Sequence, residues 1–406
     1  MHVAILSIHT APLNQPGSGD AGGLNVYVVQ LAKQLVASGV KVEIFTADHD
    51  PDHDDSFEFL PGACVHQVRP PGEGPFDKAT LAMHTAEIAD AIGAHPAMRG
   101  VDVIHSHYWI SGVVGLLLGL ELRIPLVLTM HTLARVKNRD LRVDEEPENR
   151  ISWEERLVAE SSFLIANTRR EAQDLVELYG ADPNRLAIAT PGVDHEIFRP
   201  ASRAEARTEL GLNARDLIVL FVGRIQYLKG PQILIDAVAE LRDQEPDLAS
   251  RVSVAMLGGR SGESEDGLAD LGKRAAELGL AESVIFCPPV PPAELARWYA
   301  ASDVSAVPSR SESFGLVAAE AGACGLPVIA AAVGGLSEVV DDGVSGVLVD
   351  SHQPTAWAKA LRRVLSDDDL RAEMGRSALE HVAQFSWQAT ADRTLEVYRL
   401  AVERND

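Results

Sequence analysis

The sequence predicts an α/β chain of two facing, doubly wound parallel-sheet domains, with a C-terminal helix that crosses back to the first. Three observations carry this expectation. Short apolar, β-branched runs alternate with amphipathic stretches through the first half. The same alternation begins again after Pro200. The last stretch spaces Trp387, Ala391, Leu395, Tyr398 and Val402 three or four residues apart, which makes one apolar stripe. Strand patterns alternating with helical ones imply a parallel sheet with helices on both faces.

In the first half the strand candidates are Val3 to Ile8, Val40 to Thr46, Val101 to His105, Leu126 to Met130 and Phe163 to Asn167. Amphipathic stretches such as Asn25 to Ser38 and Glu154 to Ser161 lie between them. In the second half the candidates are Leu217 to Val222, Val252 to Leu257, Val284 to Phe286, Val304 to Val307 and Pro327 to Ala330. Gly192 to Ser202, with Pro200 and several polar residues, reads as a linker. The expected domains are therefore 1–196, joined by the crossing helix over 387–406, and 197–386. Ligands of such sheets sit beyond the carboxyl ends of the strands.

Composition narrows the function. The chain has 406 residues, 46% hydrophobic and 23% charged, and a formal net charge of −23. An acidic chain of this kind argues against broad nucleic-acid binding and against docking on anionic lipid, both of which need clustered Lys and Arg. Any anionic substrate must find locally concentrated cations. Cys64, Cys287 and Cys324 stand far apart without a CxxC pair, which speaks against a zinc site or disulfide framework and fits a reducing cytoplasm. The N-terminus runs straight into a strand, without a basic leader. The longest apolar stretch, near Val113 to Leu120, is too short to span a bilayer.

Four motifs carry chemistry. Gly17-Ser18-Gly19-Asp20-Ala21-Gly22-Gly23-Leu24-Asn25 follows the first strand and opens a helix. Such glycines let backbone N–H groups approach a phosphate, though an ordinary glycine-rich turn reads equally well, and the spacing is not a dinucleotide fingerprint. Phe221-Val222-Gly223-Arg224-Ile225-Gln226-Tyr227-Leu228-Lys229-Gly230 ends a strand with two cations five residues apart. A planar guanidinium and a point charge in that position suit a diphosphate better than a solvated surface pair. In Ser309 to Glu320, Glu312 and Glu320 flank Ser313-Phe314-Gly315. With a helix starting near Phe314, Glu320 lies about two turns in, among alanines, where a carboxylate is costly without partners. Ribose hydroxyls are such partners. His105-Ser106-His107-Tyr108-Trp109 and Met130-His131-Thr132 both follow strands; spacing alone, with no adjacent carboxylate, is a weak metal signal.

Together the glycine-rich loop, the Gly223-Arg224…Lys229-Gly230 segment and the Glu312…Glu320 pair resemble the family 4 retaining glycosyltransferases of the GT-B fold. The resemblance covers the whole chain. His9-Thr10…Gln15-Pro16-Gly17, His105 to Trp109, His131-Thr132-Leu133-Ala134 followed by Val136-Lys137-Asn138, and Phe385-Ser386-Trp387 are more specifically similar to one branch. That branch moves N-acetylglucosamine from UDP-N-acetylglucosamine to 1D-myo-inositol 3-phosphate, the first committed step of mycothiol biosynthesis.

The resemblance implies a role for each matching residue. Arg224 and Lys229 would bind the donor diphosphate, near the Gly23 amide, with Gln15, Pro16 and Val290 also lining the donor site. Glu320 would hold the ribose, Glu312 the sugar hydroxyls, and His131 would lie beside the transferring centre. Lys78, Tyr108, Thr132 and Arg150 would form the acceptor-phosphate pocket. His9 and the loop Asp20, Ala21, Gly22, Gly23, Leu24, Asn25 would line the space between donor and acceptor. Where the family commonly has Asp-Pro-Arg-Pro-Pro, this chain has Cys287-Pro288-Pro289-Val290-Pro291-Pro292; a backbone contact to the base would be kept at Val290, whereas a side-chain contact would be lost and the base preference left open. The family's structural magnesium, held by backbone carbonyls, would fall near Tyr299, Ala300 and Ser302, and a homodimer is compatible with the family.

No Ser-His-Asp or Cys-His set appears, and no glycosidase-type carboxylate dyad. Arg224 and Lys229 can neutralise the leaving diphosphate without a metal cofactor. A front-face attack with retention, in which the leaving phosphate takes the acceptor's proton, fits the missing nucleophile, and domain closure would exclude water. Three other readings share this architecture: a nucleotide-sugar epimerase, a silent UDP-sugar sensor, and a family 4 transferase with another donor or acceptor.

Overall fold

The computed structural model describes residues 1–47, 54–72, 76–141, 146–259 and 267–405. The chain divides into two compact units. Met1–Pro16, Gly23–Pro191 and Trp387–Asp406 form the first; Gly17–Gly22 and Gly192–Ser386 form the second.

In the first unit the strands are β1 (His2–Leu6), β2 (Lys41–Thr46), β3 (Ser56–Leu60), β4 (Ala63–Gln67), β5 (Val103–His107), β6 (Leu126–Thr129), β7 (Phe163–Ala166) and β8 (Leu186–Ile188). They form one sheet in the order β3-β4-β2-β1-β5-β6-β7-β8, and only β3 pairs antiparallel. The second unit holds β9 (Leu217–Val222), β10 (Val252–Leu257), β11 (Val284–Cys287), β12 (Val304–Val307), β13 (Val328–Ala331) and β14 (Gly346–Val349), ordered β11-β10-β9-β12-β13-β14 and parallel throughout. Both sheets turn around their first strand, the Rossmann-like doubly wound order, so each has its switch point beside that strand.

Burial follows from the pleat. In β9, Leu217, Val219 and Phe221 belong to one core cluster while Ile218 and Leu220 belong to another, because successive side chains point to opposite faces. Such a strand is apolar on both faces and reads as an unbroken run. The edge strand β3 and its neighbour β4 carry polar residues and the edge strand β8 has only 3 residues, which explains why sequence periodicity missed them.

The stretch read as a linker is instead part of the second unit. Val193 and Phe198 are buried in its core, and the Val193 amide donates to the Phe385 carbonyl at 3.1 Å. The Gly17–Gly22 loop, grouped in sequence with the first domain, packs in the second: Gly259 N donates to the Gly17 carbonyl at 2.8 Å. The final helix, Trp387–Asn405, returns to the first unit and packs on helix Gly23–Ala37 and on β5, β6 and β7. Its stripe is the buried face, with Trp387 edge-on to Tyr27 at 5.5 Å. No helix among the described residues is long and apolar enough to cross a membrane.

Candidate active site

The residues singled out in the sequence fall into two sets, one at the strand ends of each unit. In the second unit, Arg224 follows β9 and Glu312 follows β12, the two strands that flank the switch point. The chain after β9 makes a short 3-10 turn, Tyr227–Lys229, and Gly230 closes it at φ +69. A Cβ there would stand 2.3 Å from the Pro308 carbonyl, so only glycine lets the two loops approach. Arg310 N donates to the Leu228 carbonyl at 2.8 Å and ties the same loops together. Across this junction Lys229 Nζ lies 2.6 Å from Glu312 Oε2. Gly334 packs equally tightly on the Glu312 backbone, where a Cβ would meet the carbonyl oxygen at 1.8 Å. Lys229 and Glu312 thus form one rigid pair.

Arg224 points to the glycine-rich loop. Its Nη1 is 3.8 Å from Asp20 Oδ1, and both side chains are partly exposed. The loop is a turn rather than a helix end: Gly17 and Gly19 adopt φ +93 and +52, and the helix begins only at Gly23. Ala21 is buried, whereas Asp20 and Gly23 are exposed. Gln15 is exposed too, with Nε2 donating to the Pro16 carbonyl at 3.4 Å. Val290 is half-buried among apolar neighbours.

Glu320 lies on the fifth residue of helix Leu316–Ala323, just over one turn in rather than two, because Gly315 caps the helix at φ +101. The side chain is buried, and its partner within the protein is Tyr299, whose hydroxyl donates to Oε2 at 3.0 Å. Burial pushes the carboxyl up to about 7. Sequence reading missed the Tyr299 side chain; the signal was a lone carboxylate in an alanine-rich helix, which requires a donor from elsewhere.

The backbone around Tyr299, Ala300 and Ser302, where the resemblance would place a magnesium, carries hydrogen bonds within the protein. The Tyr299 carbonyl accepts from the Ser302 amide at 3.3 Å, the Trp298 carbonyl from the Ser302 hydroxyl at 2.7 Å, and the Ala301 carbonyl from Arg207 Nε at 2.8 Å. The following carboxylate, Asp303, is bound by Arg203, Arg207 and the Ile218 amide.

In the first unit, Tyr108 follows β5 and His131 follows β6, with Tyr108 N donating to the Thr129 carbonyl at 2.9 Å. Both residues hold left-handed backbone, at φ +75 and +60. Non-glycine residues there are strained and tend to mark functional positions. Tyr108, Thr132 and Arg150 come together as expected. Arg150 Nη2 donates to Thr132 Oγ1 at 3.1 Å, its guanidinium lies 5.1 Å over the Tyr108 ring, and the His9 ring stacks on Tyr108 at 4.5 Å.

Arg150 is not a solvent-facing cation, however. It is 4% exposed, with Nε bonded to Glu154 at 2.8 Å and Nη1 to Glu146 at 2.6 Å. Helix Glu148–Glu160 starts six residues earlier than its apolar pattern suggested, because this charged pair forms its buried face. Lys78 opens the short helix Lys78–Met83, which packs on helix Trp109–Leu122, the one capped by Tyr108. Asn25 is buried, its amide donating to Thr10 Oγ1 at 3.0 Å and the Ala11 carbonyl at 2.6 Å, so it pins the loop after β1. Leu24 lies beside it on helix Gly23–Ala37.

Comparison with known proteins gives this geometry its context. Residues 21–197 match the family described as Glycosyltransferase Family 4, and residues 202–381 match Glycosyl transferases group 1. The chain is 48% identical to a D-inositol 3-phosphate glycosyltransferase of Nocardioides sp., over 98% of this chain and 90% of the relative. The chain belongs to the family 4 glycosyltransferases. A second member, the D-inositol 3-phosphate glycosyltransferase of Thermobispora bispora, is 47% identical over 99% of this chain and 95% of its own. Among solved structures, sucrose-phosphate synthase from Thermosynechococcus elongatus superposes with a TM-score of 0.87 at 31% identity, covering 98% of both chains. Anabaena HepE, solved with UDP and glucose, has a TM-score of 0.78 at 22% identity over 98% of each chain, a likeness of fold. The fold is therefore GT-B, and the protein is a hexosyltransferase of this family.

The Glu320 carboxyl gives a pH signature. If a ribose hydroxyl donates to the ionised form, as the resemblance implies, donor binding must drive off the proton that the carboxyl holds below about pH 7. We expect UDP-sugar affinity, measured by calorimetry without acceptor, to be full above that pH and to fall as pH drops through it. Glu320→Gln should bind more weakly and lose this dependence; an identical pH profile in the variant would assign Glu320 a structural role. The fold responds in the opposite sense. A carboxyl raised by burial contributes stability in its protonated form, which is lost as pH rises through about 7. Tyr299→Phe removes the Tyr299 hydroxyl donor to the carboxylate and should move the binding transition to higher pH.

Proposed function

We propose that this glycosyltransferase transfers N-acetylglucosamine from UDP-N-acetylglucosamine to 1D-myo-inositol 3-phosphate, with retention, as the step that commits inositol phosphate to mycothiol. The observation that carries the acceptor reading is the joining of Tyr108, Thr132 and Arg150 at the strand ends of the first unit, in a chain 48% identical to a D-inositol 3-phosphate glycosyltransferase. Hydroxyls and a guanidinium edge suit a phosphate monoester, which carries nearly two negative charges at neutral pH. Lys78 supplies the further cation.

On the donor side, Arg224 and Lys229 neutralise the diphosphate as the glycosidic bond breaks. Glu320 accepts from the ribose and Glu312 from the sugar hydroxyls, while Lys229 holds Glu312 in place. His131 lies beside the reacting carbon. The leaving phosphate takes the proton of the attacking inositol hydroxyl, so the protein needs no carboxylate nucleophile. The free cysteines Cys64, Cys287 and Cys324 suit a reducing cytoplasm.

The test is incubation with UDP-N-acetylglucosamine and a panel of acceptors, read by mass spectrometry. The expected product is the glycosylated inositol phosphate, with free inositol slower by at least about tenfold, the loss of about one charge-assisted contact to the phosphate. A ratio of initial rates near one removes the phosphate pocket. Product from another acceptor only would make this a family 4 enzyme of different specificity. Because Val290 stands at the base position, the panel should include ADP- and GDP-sugars.

A further inference from the structure

The sequence presents His105, His107 and His131 as isolated strand-end histidines, but the fold joins them into one buried array. His107 Nδ1 and His131 Nε2 are 2.8 Å apart. The His107 ring lies tilted against His105, centroids 4.1 Å apart, and His105 is fastened on both nitrogens, to Tyr398 Oη at 2.7 Å and Thr129 Oγ1 at 2.9 Å. Tyr27 braces the far end, edge-on to His131 at 5.0 Å and tilted on His107 at 5.4 Å. His105 and His107 are fully buried and His131 is 9% exposed.

We propose that His107 is a positioning residue that holds His131, through the Nδ1···Nε2 bond, in one ring orientation and one tautomer. This rests on the reading of His131 as lying beside the reacting carbon. Two observations beyond the distance support it. His131 sits at φ +60, a backbone conformation a β-carbon disfavours, so something must fix the residue there. The second is the accounting of protons. Burial holds all three imidazoles neutral, so the bond contains a single proton. His107 Nε2 is buried and has no hydrogen-bond partner among the described residues. An orphaned N–H is the less tolerated alternative in a protein interior, so Nε2 is the bare nitrogen and Nδ1 carries the hydrogen. His107 therefore donates, His131 Nε2 accepts, and the His131 proton is forced onto Nδ1. The imidazole then offers a neutral N–H donor on its other edge, suited to the leaving-phosphate oxygen, which gains negative charge as the glycosidic bond breaks.

The test uses the full-length protein and three variants. His107→Phe keeps the ring volume and loses the bond. His107→Asn places an amide nitrogen where Nδ1 stood. His131→Ala reports on His131 itself. We expect His107→Phe to lower kcat by on the order of 10–100-fold, the effect of misplacing a group at the reacting centre. UDP-sugar affinity by calorimetry should not change, and His107→Asn should recover most of the rate. Nitrogen-15 spectra of the wild-type His131 ring should show the proton on Nδ1, and in His107→Phe a mixture of tautomers. A wild-type ring protonated on Nε2 overturns the inference, even if the phenylalanine variant fails to fold. So does a slow His131→Ala beside a His107→Phe with full kcat. Wild-type turnover in His131→Ala instead removes the role of His131 on which the inference stands.

Discussion

Arg224→Ala and Lys229→Ala are each expected to lower kcat/KM for the donor by about ten- to a hundredfold while leaving the fold in place. A charge-assisted hydrogen bond is worth about 1.5–3 kcal/mol, and every 1.4 kcal/mol is about tenfold. Both side chains keep about a quarter of their surface, 24% in each case, so neither is needed to fill a core. The stability cost should be small for Arg224, whose 3.8 Å contact with Asp20 is long and exposed. It should be larger for Lys229, because among the described residues the Glu312 carboxylate then keeps only the Ser309 Oγ donor at 3.4 Å. Lys229→Ala combined with Glu312→Ala separates the two effects: stability should recover and turnover should not. Initial-rate kinetics beside thermal unfolding reads both, and normal turnover in either single variant would rule out the clamp.

The second large effect concerns Arg150. From sequence, Arg150→Ala looks like a clean removal of one acceptor contact. In the folded protein it also strips Glu154, a fully buried carboxylate, of its cation; Tyr179 and the Ala134 amide remain as its donors. Breaking a buried pair by removing one partner costs about 3–5 kcal/mol. Arg150→Ala should therefore unfold at a temperature lower by several degrees and lose activity for that reason as well. Lys78→Ala, at the first position of a short surface helix, should keep the wild-type unfolding temperature. It should raise KM for the phosphorylated acceptor without weakening UDP-sugar binding. Equal unfolding temperatures for Arg150→Ala and wild type would show that Glu154 does not depend on its arginine.

The two domains, their parallel central strands and the crossing helix were legible because each rests on a local pattern. β9 is an unbroken apolar run, and the stripe from Trp387 to Tyr398 recurs at the helical period. The positions of Arg224 and Glu312 were legible for the same reason, since each follows a strand of the second sheet. Helix starts were less so: the Glu148–Glu160 helix buries Arg150 and Glu154, and a buried ion pair leaves no apolar signal.

Partners distant in sequence were decided only by tertiary structure. Tyr299 reaches Glu320 across 21 positions, His105 meets Tyr398 across 293, and Lys229 meets Glu312 across 83. The stretch after Pro191 looked like a tether and became core, because Val193 pairs with Phe385 from the far end of its unit. The sequence by itself determined which residues carry charge, which segments pair as strands and which family the motifs belong to. The fold decided how those groups are neutralised. A carboxylate's affinity for protons and an imidazole's tautomer are set by what packs against them, and chain distance says nothing about that.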